Sequence, residues 1–482
     1  MEAHEALAAV PHGLFINGEF TVTDAAFEVG NPATEEVLAE VSDAGPEHAM
    51  AALDAACEAA DDWAATDPRK RAEILRSAFE LITERGEVFA TLMTLEMGKP
   101  LAESRGEVAY GAEFFRWFSE EASRIAGRWM TAPSGGNRLI TMKQPVGPVY
   151  AITPWNFPLA MGTRKIGPAL AAGCTVVIKP ASATPLTMLY LMQTLKDAGL
   201  PAGVVNCVTS SKSSAVSEPI LSDPRLRKLT FTGSTAVGRI LLEQAAENVL
   251  RTSMELGGNA PFLVLADADV DAAVEGAMPA KFRNNGEACT AANRFYVHRD
   301  VAAEFTEKLV VAVEKLVVGN GLDDGATLGP LVDEATIGKV AELVDDAVAK
   351  GARALTGGGR IEGPGHFYSP TVLTDVGSDA RLLKEEIFGP VAPIVTVDSD
   401  EDALAGANDT EFGLISYVYT RDISSALTTA ERLEAGMVAL NTGVISNPAA
   451  PFGGVKQSGL GREGSHEGIE EYLETKYIGM AL

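Results

Sequence analysis

The chain has 482 residues, which at roughly 150 residues per domain suggests two or three domains. Apolar residues make up 46% and charged residues 22%, enough for a large core and unlike a disordered tail. With 39 Lys and Arg against 66 Asp and Glu, the formal charge is −27, which repels phosphate backbones and anionic head groups and argues against nucleic-acid or membrane-surface partners.

The four cysteines form no Cys-x-x-Cys pair, and the six histidines are scattered, so neither a disulfide scaffold nor a metal site is expected. The start, MEAHEALAAVPHG, lacks the basic stretch of a signal peptide. The longest apolar run, near 169–178, is about half a membrane span. These features predict a soluble, cytoplasmic protein.

Residues 47–125 carry helical periodicity, punctuated by Pro68, Gly98 and Pro100. A Gly-rich turn, Ser134-Gly135-Gly136-Asn137, precedes the strand-like RLITMKQPV. From Val146 short β-rich runs alternate with helical stretches: VYAIT (149–153), a helix to about 172, CTVVIK (174–179), a helix over 185–198, VVNCV (204–208), KLTFT (228–232) and a helix from Ser234. Such alternation implies βαβ units and a parallel sheet. A second alternation runs from Pro261 through FLVL, RFYVH and further strands to VALN (438–441). The predicted plan is two α/β domains around a cleft, with Gly257-Gly258 as a candidate hinge. The strand-like KYIGMAL terminus would be an exposed apolar edge unless paired. Pairing across subunits predicts a homo-oligomer; pairing within one chain is the alternative.

The one literal G-x-G-x-x-G, Gly459 to Gly464, follows no predicted strand and is set aside. A better phosphate site is FTGSTAVG (231–238), where Gly233 permits close approach and Ser234 opens a helix whose free N–H groups can bind a pyrophosphate. It reads equally as a helix start with no ligand. Lys179, at the end of VVIK, is placed for ribose hydroxyls or phosphate, since ligands of open α/β sheets bind beyond the carboxyl ends of the strands.

Cys57, Cys174 and Cys207 lie in apolar helix or strand contexts and are expected to be inert buried thiols. Cys289, in NNGEACTAAN, is expected on an exposed loop, as a nucleophile or an incidental surface thiol. Asn156, in TPWNFP, can donate to an oxyanion together with the Cys289 N–H, or simply form a turn. Glu255, in MELGGN, can activate a thiol or water, or be a paired structural carboxylate.

PWNFP, KPASATP, FTGSTAVG, MELGGN, the Cys289 loop, KEEIFGP and PFGGVKQSGLGREG together resemble the aldehyde dehydrogenase superfamily in order and spacing over essentially the whole chain. KFRNNGEAC and the stretch from NTGVISNP onward are most similar to its succinate-semialdehyde dehydrogenase branch. The resemblance implies an aldehyde-dehydrogenase-like α/β fold. A Rossmann-type cofactor domain (1–122 and 146–257) would join an α/β catalytic domain (258–457) and a β oligomerisation arm (123–145 and 458–482), in a dimer or homotetramer. It implies Cys289 as nucleophile, Glu255 as base, Asn156 in the oxyanion hole, and Lys165 and Glu463 in a proton relay. Trp155, Lys179, Ser182, Gly233, Ser234, Glu386 and Phe388 would hold the cofactor. Arg164, Arg283 and Ser446 would hold a substrate carboxylate, unless each arginine pairs with an acidic neighbour.

The implied reaction is oxidation of succinate semialdehyde to succinate through a thiohemiacetal and a thioester, with glutarate semialdehyde or a broader aldehyde range as the alternative. A non-catalytic protein of the same fold is the rival of another class; the presence of Cys289, Glu255 and Asn156 argues against it. Relatives that prefer NAD usually carry Glu at position 182; Ser182 with Lys179 predicts NADP, with NAD possible, and Lys212 is a further candidate contact. Glu287 stands where relatives usually have Gln and is expected to point away from Cys289, because a facing carboxylate would disfavour the thiolate. Ala291 stands where some relatives carry a second, redox-active Cys, so that switch is expected to be absent. The segment 208–217 lacks glycines common in relatives, which bears on the shape of the adenosine pocket.

Overall fold

The computed structural model describes residues 1–481. Two large sheets carry the architecture. The first has eight strands in the order Glu19–Thr21, Leu14–Ile16, Val205–Cys207, Val176–Lys179, Val149–Ile152, Lys228–Thr232, Arg251–Glu255 and Gly459–Leu460. The five central strands are parallel, while Leu14–Ile16 and Gly459–Leu460 join antiparallel at the sides. The chain winds outward from Val149–Ile152 on one side, then returns to pair Lys228–Thr232 on the other. This reversal opens a crevice at the carboxyl ends of the strands.

Both faces of this sheet are covered, which explains its near-continuous apolar strands. Val149, Ala151, Val176, Ile178, Val205 and Cys207 join one core. The alternating Tyr150 and Val177, with Leu229, Phe231 and Met254, join the other. The N-terminal helices Pro46–Ala65, Pro68–Glu84, Gly86–Met97 and Leu101–Glu121 supply much of the covering, broken where Pro68, Gly98 and Pro100 stand.

The second sheet has seven strands: Arg353–Thr356, Thr371–Thr374, Val391–Val397, Ala292–His298, Ala260–Val264, Ile415–Tyr419 and Met437–Leu440, all parallel except the first. Its amino ends meet the carboxyl ends of the first sheet. The candidate hinge Gly257-Gly258 lies at this junction and is hydrogen-bonded on both residues. The Gly257 N–H donates to Thr235 Oγ1 at 3.2 Å, the Gly258 N–H to Glu386 Oε1 at 3.2 Å, and Ser458 Oγ to the Gly257 carbonyl at 2.8 Å. Glycine is required here by space: a Cβ on Gly258 would lie 2.6 Å from the Cys289 carbonyl oxygen.

Leu473–Ala481, Asn137–Pro145 and Arg128–Thr131 form a separate antiparallel sheet, so the terminus pairs within its own chain. The segment 458–464, placed with this arm by the sequence, contributes Gly459–Leu460 to the first sheet. The strands between 14 and 42 and the helix Ser213–Ser222 were not foreseen. No helix among the described residues is long and apolar enough to cross a membrane.

Candidate active site

A cavity of about 370 Å³ lies where the two sheets meet. Pro154, Trp155 and Asn156 enter it from the turn after Val149–Ile152, and Gly233 and Ser234 from the end of Lys228–Thr232. Cys289 comes from the turn before Ala292–His298, and Glu386 and Phe388 from the segment before Val391–Val397. The structure thus gathers seven of the expected site residues on one cavity wall.

Cys289 is half-buried, not on an open loop. Its small polar neighbours are bonded inward: the Asn285 amide engages the Pro330 carbonyl and the Gly329 N–H at 2.8 and 2.7 Å. Burial pushes the Cys289 thiol up to about 12, with Arg164 as the leading cation in opposition. The resting group is therefore a thiol and needs a base. Its backbone N–H makes no hydrogen bond with any described residue, as an oxyanion donor requires. Asn156 Nδ2 donates one hydrogen to the Glu287 carbonyl at 3.0 Å, which leaves the other for the cavity.

Glu255 ends its strand with a buried carboxyl that has no hydrogen-bond partner among the described residues. Burial, and then the negative charge of Glu463, raise it well above the ordinary carboxylate range. Glu463 has the opposite environment. It lies 2.5 Å from Arg164 Nη2 and 2.6 Å from Lys165 Nζ. Burial opposes its charge, but those two cations overcome burial and hold it below the ordinary range. Two neighbouring carboxyls driven apart in this way suit one to permanent charge and the other to proton transfer. Glu287 points away from Cys289, as expected. Its Oε1 accepts the Val332 N–H at 3.0 Å, and burial raises its carboxyl well above the usual value.

The arginines differ. Arg164 is buried in its ion pair with Glu463 and stacked 4.1 Å from the Phe452 ring, so its charge is largely answered inside the protein. Arg283 is half-buried, has no ion pair or side-chain hydrogen bond among the described residues, and sits 5.7 Å from the Phe157 ring. Its charge reaches Cys289, Tyr110 and Tyr417. Ser446 is half-buried, and its hydroxyl makes no hydrogen bond among the described residues. Tyr110, Phe157 and Tyr417 were not singled out by the sequence; Phe157 alone carried a signal, inside PWNFP.

The remaining residues fit a dinucleotide. Lys179 is buried at its strand end with no carboxylate partner; its ammonium donates to the Pro180 carbonyl at 3.2 Å, and burial lowers it to about 8. Ser182 is exposed on the same loop. Ser234 caps the helix Thr235–Glu247, whose first turn holds no acidic residue, so its N–H groups suit a pyrophosphate. Trp155 and Phe388 meet edge to face, 5.4 Å between centroids. Lys212 lies before the helix Ser213–Ser222 and shares a separate surface cleft with Asp43. Cys174 and Cys207 are fully buried, and burial raises both thiols; Cys57, expected buried, is half-buried, and its thiol is raised too.

Known proteins are similar to this chain over nearly its whole length. The profile of the Aldehyde dehydrogenase family matches residues 20–478. A succinate-semialdehyde dehydrogenase of Paenarthrobacter nicotinovorans is 59% identical over 92% of this chain and 99% of its own length. A glutarate-semialdehyde dehydrogenase of Pseudomonas putida is 52% identical, covering 96% of each chain. The crystal structure of an NADP-dependent enzyme of E. coli superimposes with a TM-score of 0.97, at 51% identity over 98% of this chain and 99% of that one. A cavity cysteine opposite an asparagine amide, a buried unpaired glutamate and near-complete matches of this kind lead to one conclusion: the chain belongs to the aldehyde dehydrogenase family.

Proposed function

We propose that the chain oxidises succinate semialdehyde to succinate with NADP, and accepts NAD less well. The observation that carries this reading is Arg283, an unpaired guanidinium six residues before Cys289 in a protein of charge −27. A small aldehyde with a carboxylate at its far end places that charge on Arg283 while its carbonyl meets the sulfur. Arg164 and Ser446 complete the grip, Arg164 through whatever charge Glu463 leaves unanswered.

Lys179 and Ser182 would hold the adenosine ribose and its 2′-phosphate, since that loop offers no carboxylate to repel it. Gly233 and Ser234 would hold the pyrophosphate, Glu386 the second ribose, and Trp155 and Phe388 would flank the remainder. When bound, the dinucleotide supplies the hydride acceptor.

The Cys289 thiol gives up its proton to Glu255, directly or through water, and the sulfur bonds to the aldehyde carbon. The carbonyl electron pair moves to oxygen, where Asn156 Nδ2 and the Cys289 N–H stabilise it. Loss of hydride from that carbon re-forms the carbonyl as a thioester. Once Glu255 has passed its proton to solvent, it takes one from water; the resulting oxygen nucleophile attacks the thioester, the carbon–sulfur bond breaks to release the acid, and the departing Cys289 sulfur recovers its proton from Glu255. Glu463 stays ionised, so a relay beyond Glu255 requires Lys165 as the proton carrier.

A five-carbon ω-oxo acid is the second reading, favoured by the likeness to the Pseudomonas enzyme. The test is initial rates for succinate semialdehyde, glutarate semialdehyde and butanal, each with NADP and NAD. Equal efficiency for butanal and the two semialdehydes would sink the proposed grip.

The separate cores of the two sheets support the cofactor and catalytic domains set out above. A cytoplasmic location is part of the same proposal, and the arm supports a homo-oligomer, dimer or tetramer: Arg128–Thr131 is exposed throughout, with Trp129 at 63% and Tyr477, on the far strand, at 62%. Light scattering that gives the mass of one chain would refute this.

A further inference from the structure

The helix Gly86–Met97 ends at Gly98, whose left-handed backbone (φ 95°) turns the chain so that Lys99 faces inward. Lys99 has no exposed surface. Its ammonium meets three targets with three N–H bonds: Glu107 Oε2 at 2.5 Å, the Asn156 carbonyl at 2.7 Å, and the Phe157 ring with its centroid 4.2 Å away. The other oxygen of Glu107 accepts the Leu159 and Ala160 N–H groups at 2.9 and 3.1 Å, at the start of the helix Ala160–Ala172. One turn before Glu107 on the helix Leu101–Glu121, Glu103 accepts the Asn284 N–H at 2.7 Å. Asn284 Nδ2 in turn donates to the Asn156 carbonyl at 3.1 Å and to the Glu287 carbonyl at 2.9 Å.

The first two turns of Leu101–Glu121 therefore hold both halves of the oxyanion site: the Asn156 turn through Lys99 and Glu107, and the segment before Cys289 through Glu103. A buried ion pair seldom stabilises a fold beyond what apolar side chains of equal volume would give. Here its contacts converge on one turn, residues 156–160, with the Lys99 ammonium on the Asn156 carbonyl.

We propose that Lys99 is a positioning residue for the oxyanion site: with Glu103 and Glu107 it locks the Asn156 peptide against the Cys289 loop, which aims the Asn156 amide at the attacked carbonyl. This rests on Asn156 being an oxyanion donor, as read above.

The test is a double-mutant cycle on hydride transfer, followed as single-turnover NADPH formation from succinate semialdehyde. Lys99→Met combined with Glu107→Gln removes the pair without leaving an orphan charge. NADPH binding, titrated by fluorescence, should stay within about twofold, because Lys99 touches none of the proposed cofactor residues. Hydride transfer should fall about tenfold or more with little change in KM. In an Asn156→Ala background the same pair of changes should cost no more than about twofold, since groups acting through one another are not additive. A folded, NADPH-binding variant with a near wild-type transfer rate overturns the proposal. So does a loss that multiplies in full with that of Asn156→Ala. If Asn156→Ala alone transfers hydride normally, the oxyanion reading itself has failed, and this proposal fails with it. Should the double variant not fold, Asn284→Gly gives the same cycle: it keeps the left-handed backbone (φ 57°) and deletes the second donor to the same carbonyl.

Discussion

Replacing Arg283 with Met breaks no ion pair or side-chain hydrogen bond among the described residues, although it removes one of the two cations, with Lys99, whose charge favours the ionised form of buried Glu103. Its main cost should fall on the substrate. Hydrogen bonds to a charged partner are worth about 1.5–3 kcal/mol. At about 1.4 kcal/mol per decade, kcat/KM for succinate semialdehyde should fall by roughly 10- to 100-fold. Butanal, which offers the guanidinium no carboxylate, should lose much less, only what the weaker support of the Cys289 thiolate costs both aldehydes. The measurement is the ratio of the two efficiencies, wild type against variant, at low ionic strength. An equal loss for both aldehydes, or none for either, refutes the assignment. Arg164→Met is a poorer probe, because it removes one of the two cations holding the buried Glu463 and perturbs Glu255 at the same time.

Ser182→Glu should reverse cofactor preference towards NAD, measured as the ratio of kcat/KM for the two dinucleotides; an unchanged ratio would show that the 2′-phosphate lies elsewhere. Glu255 is raised well above 4.5, so its basic form appears only as pH climbs through that raised value. Thioester hydrolysis should therefore rise with pH along a limb well above the ordinary carboxylate range, and Glu255→Gln should abolish the limb. By the same shift, the stability that neutral Glu255 contributes is complete below 4.5 and is lost as pH rises through the folded value. Lys281 is buried with an unpartnered ammonium, lowered by burial from 10.5 to about 7. Its contribution to stability is complete above 10.5 and is lost as pH falls through 7. Lys281→Met should stabilise the fold by about 5 kcal/mol at most near pH 6 and about 2 near pH 9, read from denaturant unfolding; a destabilised variant with a steeper pH profile would refute this.

The parallel strands were legible because they are short apolar runs closed by a change of residue character: VVIK by Lys179 and Pro180, KLTFT by Gly233 and Ser234. The strand Glu19–Thr21 was not, since its side chains are mostly exposed and carry no apolar pattern. The helix Ser213–Ser222 was hidden by serines and by Pro219 within it. Cys289, Asn156 and Glu255 stood out because each breaks the character of its surroundings. The fate of the arginines did not, because pairing is a matter of distant sequence: Glu463 lies 298 positions from Lys165. The polar residues around Cys289 suggested an open surface, yet they spend their hydrogen bonds inward, and composition alone cannot tell those uses apart. Lys99 was not singled out, because its partners, Glu107 and Asn156, are visible only in three dimensions.

The crossing at Gly258 has a consequence for how such proteins diversify. With room for no more than a hydrogen between that residue and the Cys289 carbonyl, the connection between the two halves doubles as a stop against which the reactive loop rests. The halves cannot be traded as cassettes through an arbitrary linker. Any recombinant must bring its own glycine and its own reactive loop as a matched pair, or the sulfur shifts out of register with the strand ends that face it.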